Sequence, residues 1–228
     1  MKRTDAPELL DSDACSPRDV ELAMLDLGGV NRRFGGIRTT QTLIEQIIQR
    51  TGERRFSLLD VAAGSGEVPE TASRNLAQQG ITVKVTLLDR ARSHLPNGKR
   101  SLVGDALALP FRDASFDLVS CTLFAHHLEP QALVSFIKEA QRVSRRALLI
   151  NDLVRHPVHL ALVYAAFPLM RSRVAWLDGL TSVRRAYTPE EMRAIIASAF
   201  PANAGQRVEI SRHYLFRMGV IVWKEAEG

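Results

Sequence analysis

Three aspartates stand at the ends of short apolar runs in the first half of the chain. Asp60 and Asp89 lie at the ends of residues 58–61 and 83–89, and Asp105 follows a third, shorter run. Such runs are typical of buried parallel strands. Because parallel strands end at one edge of a sheet, these carboxylates predict a ligand site there, with hydrogen bonds to hydroxyl or amino groups.

A turn of very small residues follows the first of these runs. Residues 62–66 read AAGSG, and a helix-like segment begins near Val68. Glycine lets a ligand approach the bare backbone, and the first turn of a helix offers free N–H groups. The strand, turn and helix therefore predict that a ligand contacts the backbone at this point.

Two adjacent histidines follow a fourth apolar run, residues 116–121. Histidine titrates close to neutral pH. His126 or His127 is therefore the best suited group to remove a proton from a hydroxyl group of a bound molecule. The alternative is structural: one histidine caps the helix that begins near Glu129, and the other packs. Both interpretations remain open from the sequence.

Strand-like runs alternate with helix-like segments between residues 56 and 152, which indicates an α/β fold. Two helices precede them within residues 17–55, and residues 1–16 are expected to form a flexible arm. Residues 153–187 interrupt the alternation with apolar and arginine-rich helical sequence. Another helix and two closing strands follow, so we expect one domain over residues 17–228.

The order of these motifs resembles a known family. D-x-A-x-G-x-G, then a strand-end Asp, then GDA-x-x-LPF-x-x-x-SFD-x-V is similar to the Rossmann-like, S-adenosylmethionine-dependent methyltransferases. Within that class the chain resembles the menaquinone/ubiquinone-biosynthesis type, over residues 20–152. The resemblance implies a seven-stranded, mostly parallel sheet with helices on both faces. It also implies S-adenosyl-L-methionine as cofactor and S-adenosyl-L-homocysteine as product.

The resemblance assigns roles to the motif residues. Asp60 would contact the methionine amino group, Asp89 the ribose hydroxyls and Asp105 the adenine amine. The other cofactor-binding residues implied are Ala62, Gly64, Gly66, Arg90, Gly104 and Ala106. The sequence departs from the family pattern at Ala62, where glycine is usual, and at Glu67, where a third glycine often stands. A negative charge at Glu67 would repel a diphosphate and argues against a dinucleotide.

By analogy with such folds, residues 153–187 are expected to be a helical lid over the acceptor. Its candidate acceptor-binding residues are Arg171, Arg173, Trp176, Arg184 and Arg185. After the fourth strand the sequence reads CTLFAHH, which lacks the Asn/Asp-Pro-Pro-aromatic motif of base methylation. The expected acceptor is therefore a small molecule.

No metal is expected. His156 and His159 lack a third ligand. Asn151 and Asp152 are similar to metal ligands of catechol-type methyltransferases, but that site also needs an aspartate after the fourth strand, where this sequence has Ser-Cys.

The most favoured reaction is O-methylation of a phenolic, polyketide or carboxylate compound. C-methylation of a quinone-like ring is the nearest alternative. An NAD-linked Rossmann oxidoreductase and a cofactor-binding protein without turnover are further alternatives.

The composition of the chain indicates which kinds of binding partner are expected. The 228 residues carry a net charge of +5, but the basic residues are not interleaved with aromatics, which form only 6% of the chain. Nucleic-acid binding is therefore not expected. No apolar run reaches the length of about 18 residues that a membrane span needs. Two cysteines offer no disulfide framework, so we expect a cytoplasmic protein. We also expect a monomer or a homodimer.

Overall fold

The computed structural model describes residues 1–11, 15–98, 100–201 and 206–224. Its centre is one seven-stranded sheet with the order β3-β2-β1-β4-β5-β7-β6. The strands are β1 (Arg55–Val61), β2 (Thr82–Asp89), β3 (Ser101–Val103), β4 (Phe116–Thr122), β5 (Ser144–Leu153), β6 (Val208–His213) and β7 (Arg217–Trp223). The first five strands are parallel, and β7 pairs antiparallel with both β5 and β6. The predicted Rossmann-like architecture is confirmed.

Seven α-helices surround the sheet in the described part of the chain. They are α1 (Pro17–Arg33), α2 (Gly36–Thr51), α3 (Glu67–Ala77), α4 (Pro130–Val143), α5 (Pro157–Ala165), α6 (Arg173–Arg185) and α7 (Pro189–Ser198). Apolar residues of α2 and α3 pack on one face of the sheet, and those of α4 and α7 pack on the other. Burial on both faces explains why the central strands are almost wholly apolar.

Register brings the polar strand ends together. Asp60 of β1 pairs with Leu87 of β2 and with Ser120 of β4, and Asp89 pairs with Val103 of β3. Because all these strands run parallel, their carboxyl ends share one edge of the sheet, as the sequence predicted.

Residues 153–187 form α5, a 3₁₀ turn at Phe167–Leu169, and α6. Helix α6 packs against both α5 and α1. Residues 1–11 reach this region as well, because the N–H groups of Leu9 and Leu10 donate to the carboxylate of Asp178 on α6. The predicted lid function of this segment and the predicted flexibility of residues 1–16 stay predictions, and residues 12–14 lie outside the described residues.

None of the helices in the described ranges has both the length and the apolar character needed to cross a membrane.

Candidate functional site

Asp60 is a buried carboxyl at the end of β1. Its Oδ1 accepts a short hydrogen bond from the hydroxyl of Ser120 on the neighbouring strand. Burial raises the pKa of Asp60, the Ser120 hydrogen bond lowers it, and the nearby charge of Asp89 raises it further, to about 7. Asp60 therefore changes charge near neutral pH, and a cation beside it would favour the ionised form.

The turn after β1 has two left-handed positions that matter for ligand access. Gly64 has φ +52°, and a Cβ built there would have no atom within 4 Å, so the space over this residue is open. Gly66 has φ +71°, and a Cβ there would lie 2.4 Å from the Leu87 side chain, so only glycine fits. Ala62 also has a positive φ, of 55°, which strains a residue that carries a Cβ.

Asp89 ties the turn to the end of β2. Its Oδ2 accepts the N–H of Gly64 at 2.8 Å and its Oδ1 accepts the N–H of Ala91 at 3.0 Å, while His94 Nδ1 lies 3.3 Å from Oδ1. Burial raises the pKa of Asp89, but the contacts with His94, Ala91 and Gly64 outweigh it and hold the pKa below its usual value. The carboxylate is thus ionised at neutral pH, and Oδ2, which has a single donor, retains a further lone pair for a hydroxyl donor.

The remaining cofactor candidates follow β2 and β3. Asp105 is exposed and its Oδ1 accepts the N–H of Leu107 at 2.9 Å, and Arg90 is exposed as well. A Cβ on Gly104 would lie 2.9 Å from Leu88, so the backbone packs closely there. For Ala106 and these three residues, contact with a cofactor stays a prediction.

A cavity of about 800 Å³ extends from the turn after β1 to α5 and α6. Asp60, Ala62 and Gly64 line one end, and His126 and His127 line the other part of the wall, together with residues of α1, α5 and α6. A cavity of this size suits a ligand of several hundred daltons. Three of the nine cofactor candidates therefore line the same cavity as the two histidines, and the other six lie outside its lining.

His126 lies between two carboxylates, and we call Asp152, His126 and Glu8 the acidic triad. The Nδ1 atom of His126 lies 2.6 Å from Oδ1 of Asp152, and its Nε2 lies 3.4 Å from Oε1 of Glu8. Burial alone would lower the pKa of His126, but the two carboxylates outweigh it and raise the pKa to about 9. Burial raises the pKa values of Asp152 and Glu8, yet His126 brings both below their usual values.

The triad argues against His126 as the base that the sequence suggested. A histidine with a pKa of about 9 already carries its second proton at neutral pH and has no lone pair to offer. His127 is different: its side chain is 23% exposed, it lines the cavity, and its Nε2 lies 3.7 Å from Oε2 of Glu8. Glu8 thus contacts both histidines.

The backbone of the histidine loop is held by residues distant in sequence. Arg3 donates to the carbonyl oxygens of His126 and Leu128, and Arg185 donates to those of His126 and His127. The hydroxyl of Tyr187 donates to Leu128 as well. The N-terminal residues and the end of α6 therefore fix the position of both imidazoles.

Two of the five candidate acceptor-binding residues in residues 153–187 line the cavity, and the other three do not. Arg171 and Trp176 line the cavity, and the Trp176 indole donates to the carbonyl of Val163 at 2.9 Å. Within the described part of the chain, Arg173, Arg184 and Arg185 lie outside the cavity lining. Arg185 is buried against backbone carbonyl oxygens, a structural contact that the sequence did not suggest. Acceptor binding by these five residues stays a prediction.

Glu8 is the residue that sequence reasoning missed most clearly. It lay in the predicted flexible arm, where no periodicity or motif singles it out. Asp152 was visible as a strand-end acid, but only its resemblance to a metal ligand was weighed. Its pairing with His126 follows from the tertiary position of the loop after β4.

Ligand atoms of Glu8, His126 and His127 lie within 4.8 Å of one another. A metal bound there would need the Nε2 lone pair of His126, which carries a proton between the two carboxylates. Nε2 of His126 lies 3.4 Å from Oε1 of Glu8 and makes no hydrogen bond within the described residues. The expectation of no metal stays a prediction.

Comparison with known proteins finds similarity to methyltransferases in sequence and in fold. Residues 59–147 match the family model described as a methyltransferase domain. The chain is 37% identical over 102 residues to the demethylmenaquinone methyltransferase of Beutenbergia cavernae, which is 42% of this chain and 38% of that protein. It is 33% identical over 125 residues to the enzyme of the same name from Renibacterium salmoninarum, 52% of this chain and 46% of that protein. The matches thus span less than half the length of these relatives.

Solved structures of methyltransferases share the fold. The plantazolicin methyltransferase BpumL, in complex with a desmethylPZN analog and SAH, has a TM-score of 0.68 at 12% identity, covering 92% of this chain and 91% of that one. Human N-acetylserotonin methyltransferase in complex with SAM has a TM-score of 0.62 at 14% identity, covering 91% of this chain and 57% of that one. At these identities the likeness is one of fold.

Proposed function

We propose that this chain, which belongs to the Rossmann-like S-adenosylmethionine-dependent methyltransferases, transfers a methyl group from that cofactor to a small-molecule acceptor. The observation that carries the proposal is the continuous cavity. Gly64 and Asp60 line this cavity together with His126, His127 and residues of α1, α5 and α6.

The residues present fit S-adenosylmethionine. The open space over Gly64 admits a ligand against the backbone, and the ionised Asp89 retains acceptor capacity for ribose hydroxyls. Asp60 is buried, faces the cavity and titrates at about 7, so the positive charge of an amino-acid ammonium group would stabilise its carboxylate. A dinucleotide fits less well, because Glu67 starts α3 where a diphosphate would bind.

The chemistry needs alignment more than covalent help. S-adenosylmethionine supplies a sulfonium-bound methyl group whose leaving group is neutral. The protein's task is to exclude water and to hold the acceptor atom in line with that methyl. The cavity walls from α1, α5 and α6 provide the enclosure.

His127 is the residue that we assign to remove the acceptor's proton. It lines the cavity, and Glu8 lies close enough to orient its imidazole. The cationic His126 in turn anchors Glu8. General-base help of this kind is typically worth about 10²–10⁴-fold in rate, and it applies to an oxygen acceptor. We therefore favour O-methylation of a phenolic, polyketide or carboxylate compound.

Methylation of a quinone-like ring carbon is the second candidate. It is favoured by the curated relatives, which are named for demethylmenaquinone. The two candidates differ in the position of the methyl group on the product, which mass spectrometry and nuclear magnetic resonance of the product distinguish.

Calorimetric titration with S-adenosylhomocysteine tests the cofactor assignment. We expect a dissociation constant in the micromolar range, about −8 kcal/mol. Asp89→Asn should weaken binding about 10- to 100-fold, because charge-assisted hydrogen bonds contribute roughly 1.5–3 kcal/mol. Asp113→Asn is the matched control, since Asp113 is exposed in the loop before β4 and pairs with Arg142.

Two results would contradict the proposal. Tight binding of NAD with no binding of S-adenosylhomocysteine would favour an oxidoreductase. Normal cofactor binding without turnover on any phenolic, polyketide, carboxylate or quinone acceptor would favour a protein that only binds the cofactor.

A further inference from the structure

Residues 156–170 form an uncharged, largely exposed segment of the lid, which we call the apolar segment. It contains no Asp, Glu, Lys or Arg. Leu169 is 82% exposed, and the other large side chains exposed there, by 46–52%, are Val158, Leu162, Tyr164 and Phe167. Helices on a protein surface normally turn a polar face to water, so this arrangement is unusual.

The apolar segment borders the cavity. Leu162 and Leu169 are exposed to solvent, yet both also line the cavity wall. Met24 and Leu25 of α1 share these two properties. The rim of the cavity is therefore apolar on both its α1 side and its α5 side.

Basic side chains flank the apolar segment. Arg171 and Arg173 follow it directly and are exposed. Arg184 donates to the hydroxyl of Tyr164 at 2.6 Å, which places a third guanidinium beside α5. Residues 153–187 contain five arginines and a single acid, Asp178, which is buried. Within residues 153–187 the exposed charges are therefore positive. The carboxylate of Asp26 on α1 lies directly beside them and accepts the N–H groups of Arg171 and Ser172.

We propose that the apolar segment docks onto the surface of an anionic phospholipid bilayer. An apolar helix flanked by arginines suits the boundary between acyl chains and phosphate groups, where α5 would lie in the plane of the membrane. The segment is far too short to span the hydrocarbon core. Each arginine near an anionic surface strengthens binding by about fivefold.

Charge favours a bilayer over a second copy of the chain as the occupant. A symmetric dimer through the apolar segment would bring the same surface of both copies together. Arg171 and Arg173 of one copy would then approach those of the other, which like-charge repulsion opposes. Phosphate groups of lipids neutralise the same arginines.

The inference extends the proposed function and rests on it in one respect. Docking through this segment would turn the apolar rim of the cavity toward the bilayer. The acceptor class is then a lipophilic molecule, dissolved in the bilayer, that enters between α1 and α5.

Vesicle flotation tests the docking directly. The full chain is mixed with vesicles of phosphatidylcholine alone or of phosphatidylcholine with phosphatidylglycerol, at low and at high salt. We expect flotation with the anionic vesicles and a clear decrease at high salt. Val158→Ser combined with Leu169→Ser should weaken binding at least about tenfold, because both apolar contacts are lost. Arg171→Gln combined with Arg173→Gln should weaken it about 20-fold or more.

Tyr214→Ser is the matched control, because Tyr214 is an equally exposed apolar side chain in the turn between β6 and β7. Thermal melting and S-adenosylhomocysteine titration show that each variant is folded and keeps its cofactor site, so failure here is distinguishable from failure of the proposed function. Absence of flotation, or equal flotation of the wild type and both double variants, would overturn the proposal. So would a dimer in light scattering that the Val158/Leu169 variant abolishes while vesicle binding is absent.

Discussion

Oδ1 of Asp152 lies 2.6 Å from Nδ1 of His126, and both side chains are only 2% exposed. An imidazole so buried keeps its proton because Glu8 faces its other nitrogen. The positively charged imidazole of His126, which lies between the carboxylates of Asp152 and Glu8, therefore has a structural role. The neighbouring His127 is partly exposed and lines the cavity, and it is the residue that we propose for proton transfer.

Replacing His127 by glutamine should lower turnover on a hydroxyl acceptor by about 10²–10⁴-fold, the usual range for a lost general base. Affinity for S-adenosylhomocysteine should change only a few-fold, because His127 lies at the acceptor side of the cavity. The defect should be smaller for phenols of lower pKa, which need the base less. Steady-state kinetics over a series of substituted phenols provides the measurement.

His213→Gln is the control for that experiment, because His213 lies on β6 and is not among the residues that line the cavity. Full activity of the His127 variant on the true acceptor would show that alignment alone provides the catalysis.

The acidic triad predicts a loss of stability at alkaline pH. The pKa of His126 is raised from 6.5 to about 9 in the folded protein, so its contribution is fully present below about pH 6.5. It is lost as the pH rises through about 9, and the free energy of unfolding should fall by an amount on the order of 3 kcal/mol. Urea denaturation across this interval measures the effect.

In the His126→Gln variant the free energy of unfolding should be lower at neutral pH and should vary less across the same interval. An identical pH dependence in the variant and the wild type would contradict this prediction.

Cofactor binding should release protons near pH 6.5. Asp60 has a pKa of about 7 in the free protein, and a neighbouring ammonium group would lower it, so a bound ligand expels a proton from the carboxyl. The heat of S-adenosylhomocysteine binding should therefore depend on the ionisation enthalpy of the buffer. In Asp60→Asn this dependence should disappear, and no buffer dependence in the wild type would refute the assignment.

Ala62→Gly should stabilise the protein. A φ of 55° destabilises an alanine by about 1–2 kcal/mol, which glycine would relieve. The greater freedom of glycine in the unfolded chain offsets about 0.4–1 kcal/mol of that gain. We expect a net gain of about 0.5–1 kcal/mol in the free energy of unfolding. Ala63→Gly, at a neighbour outside the positive-φ positions, should instead destabilise. Destabilisation by both changes would show that the strain at residue 62 is not relieved.

Local signals were enough to predict that Asp60 and Asp89 lie at the same edge of the sheet. Asp60 and Asp89 are strand-end residues, and a parallel sheet fixes where such residues lie. The sheet order was predictable as well, because the motifs occur in the order of a known class. The sequence pattern therefore predicts the strands and helices, and the edge of the sheet at which the strand-end aspartates lie.

The surroundings of His126 and His127 depend on contacts between distant parts of the chain. Glu8 meets His126 only because residues 1–11 pack against α6, and no periodicity encodes that contact. Arg185 and Arg171 look alike in the sequence, but one is buried on backbone carbonyl oxygens and the other is exposed. Charge alone does not distinguish an arginine that supports a loop from one that meets a ligand.

The two outer strands of the sheet limit how copies of this protein can associate. β3 consists of three residues, too few to template another strand, and β6 carries Glu209 and Arg212 along its length. Short or charged outer strands prevent edge-to-edge sheet extension. Any dimer of this chain is therefore expected to form through helices, and the sheet of each copy stays separate at high protein concentration.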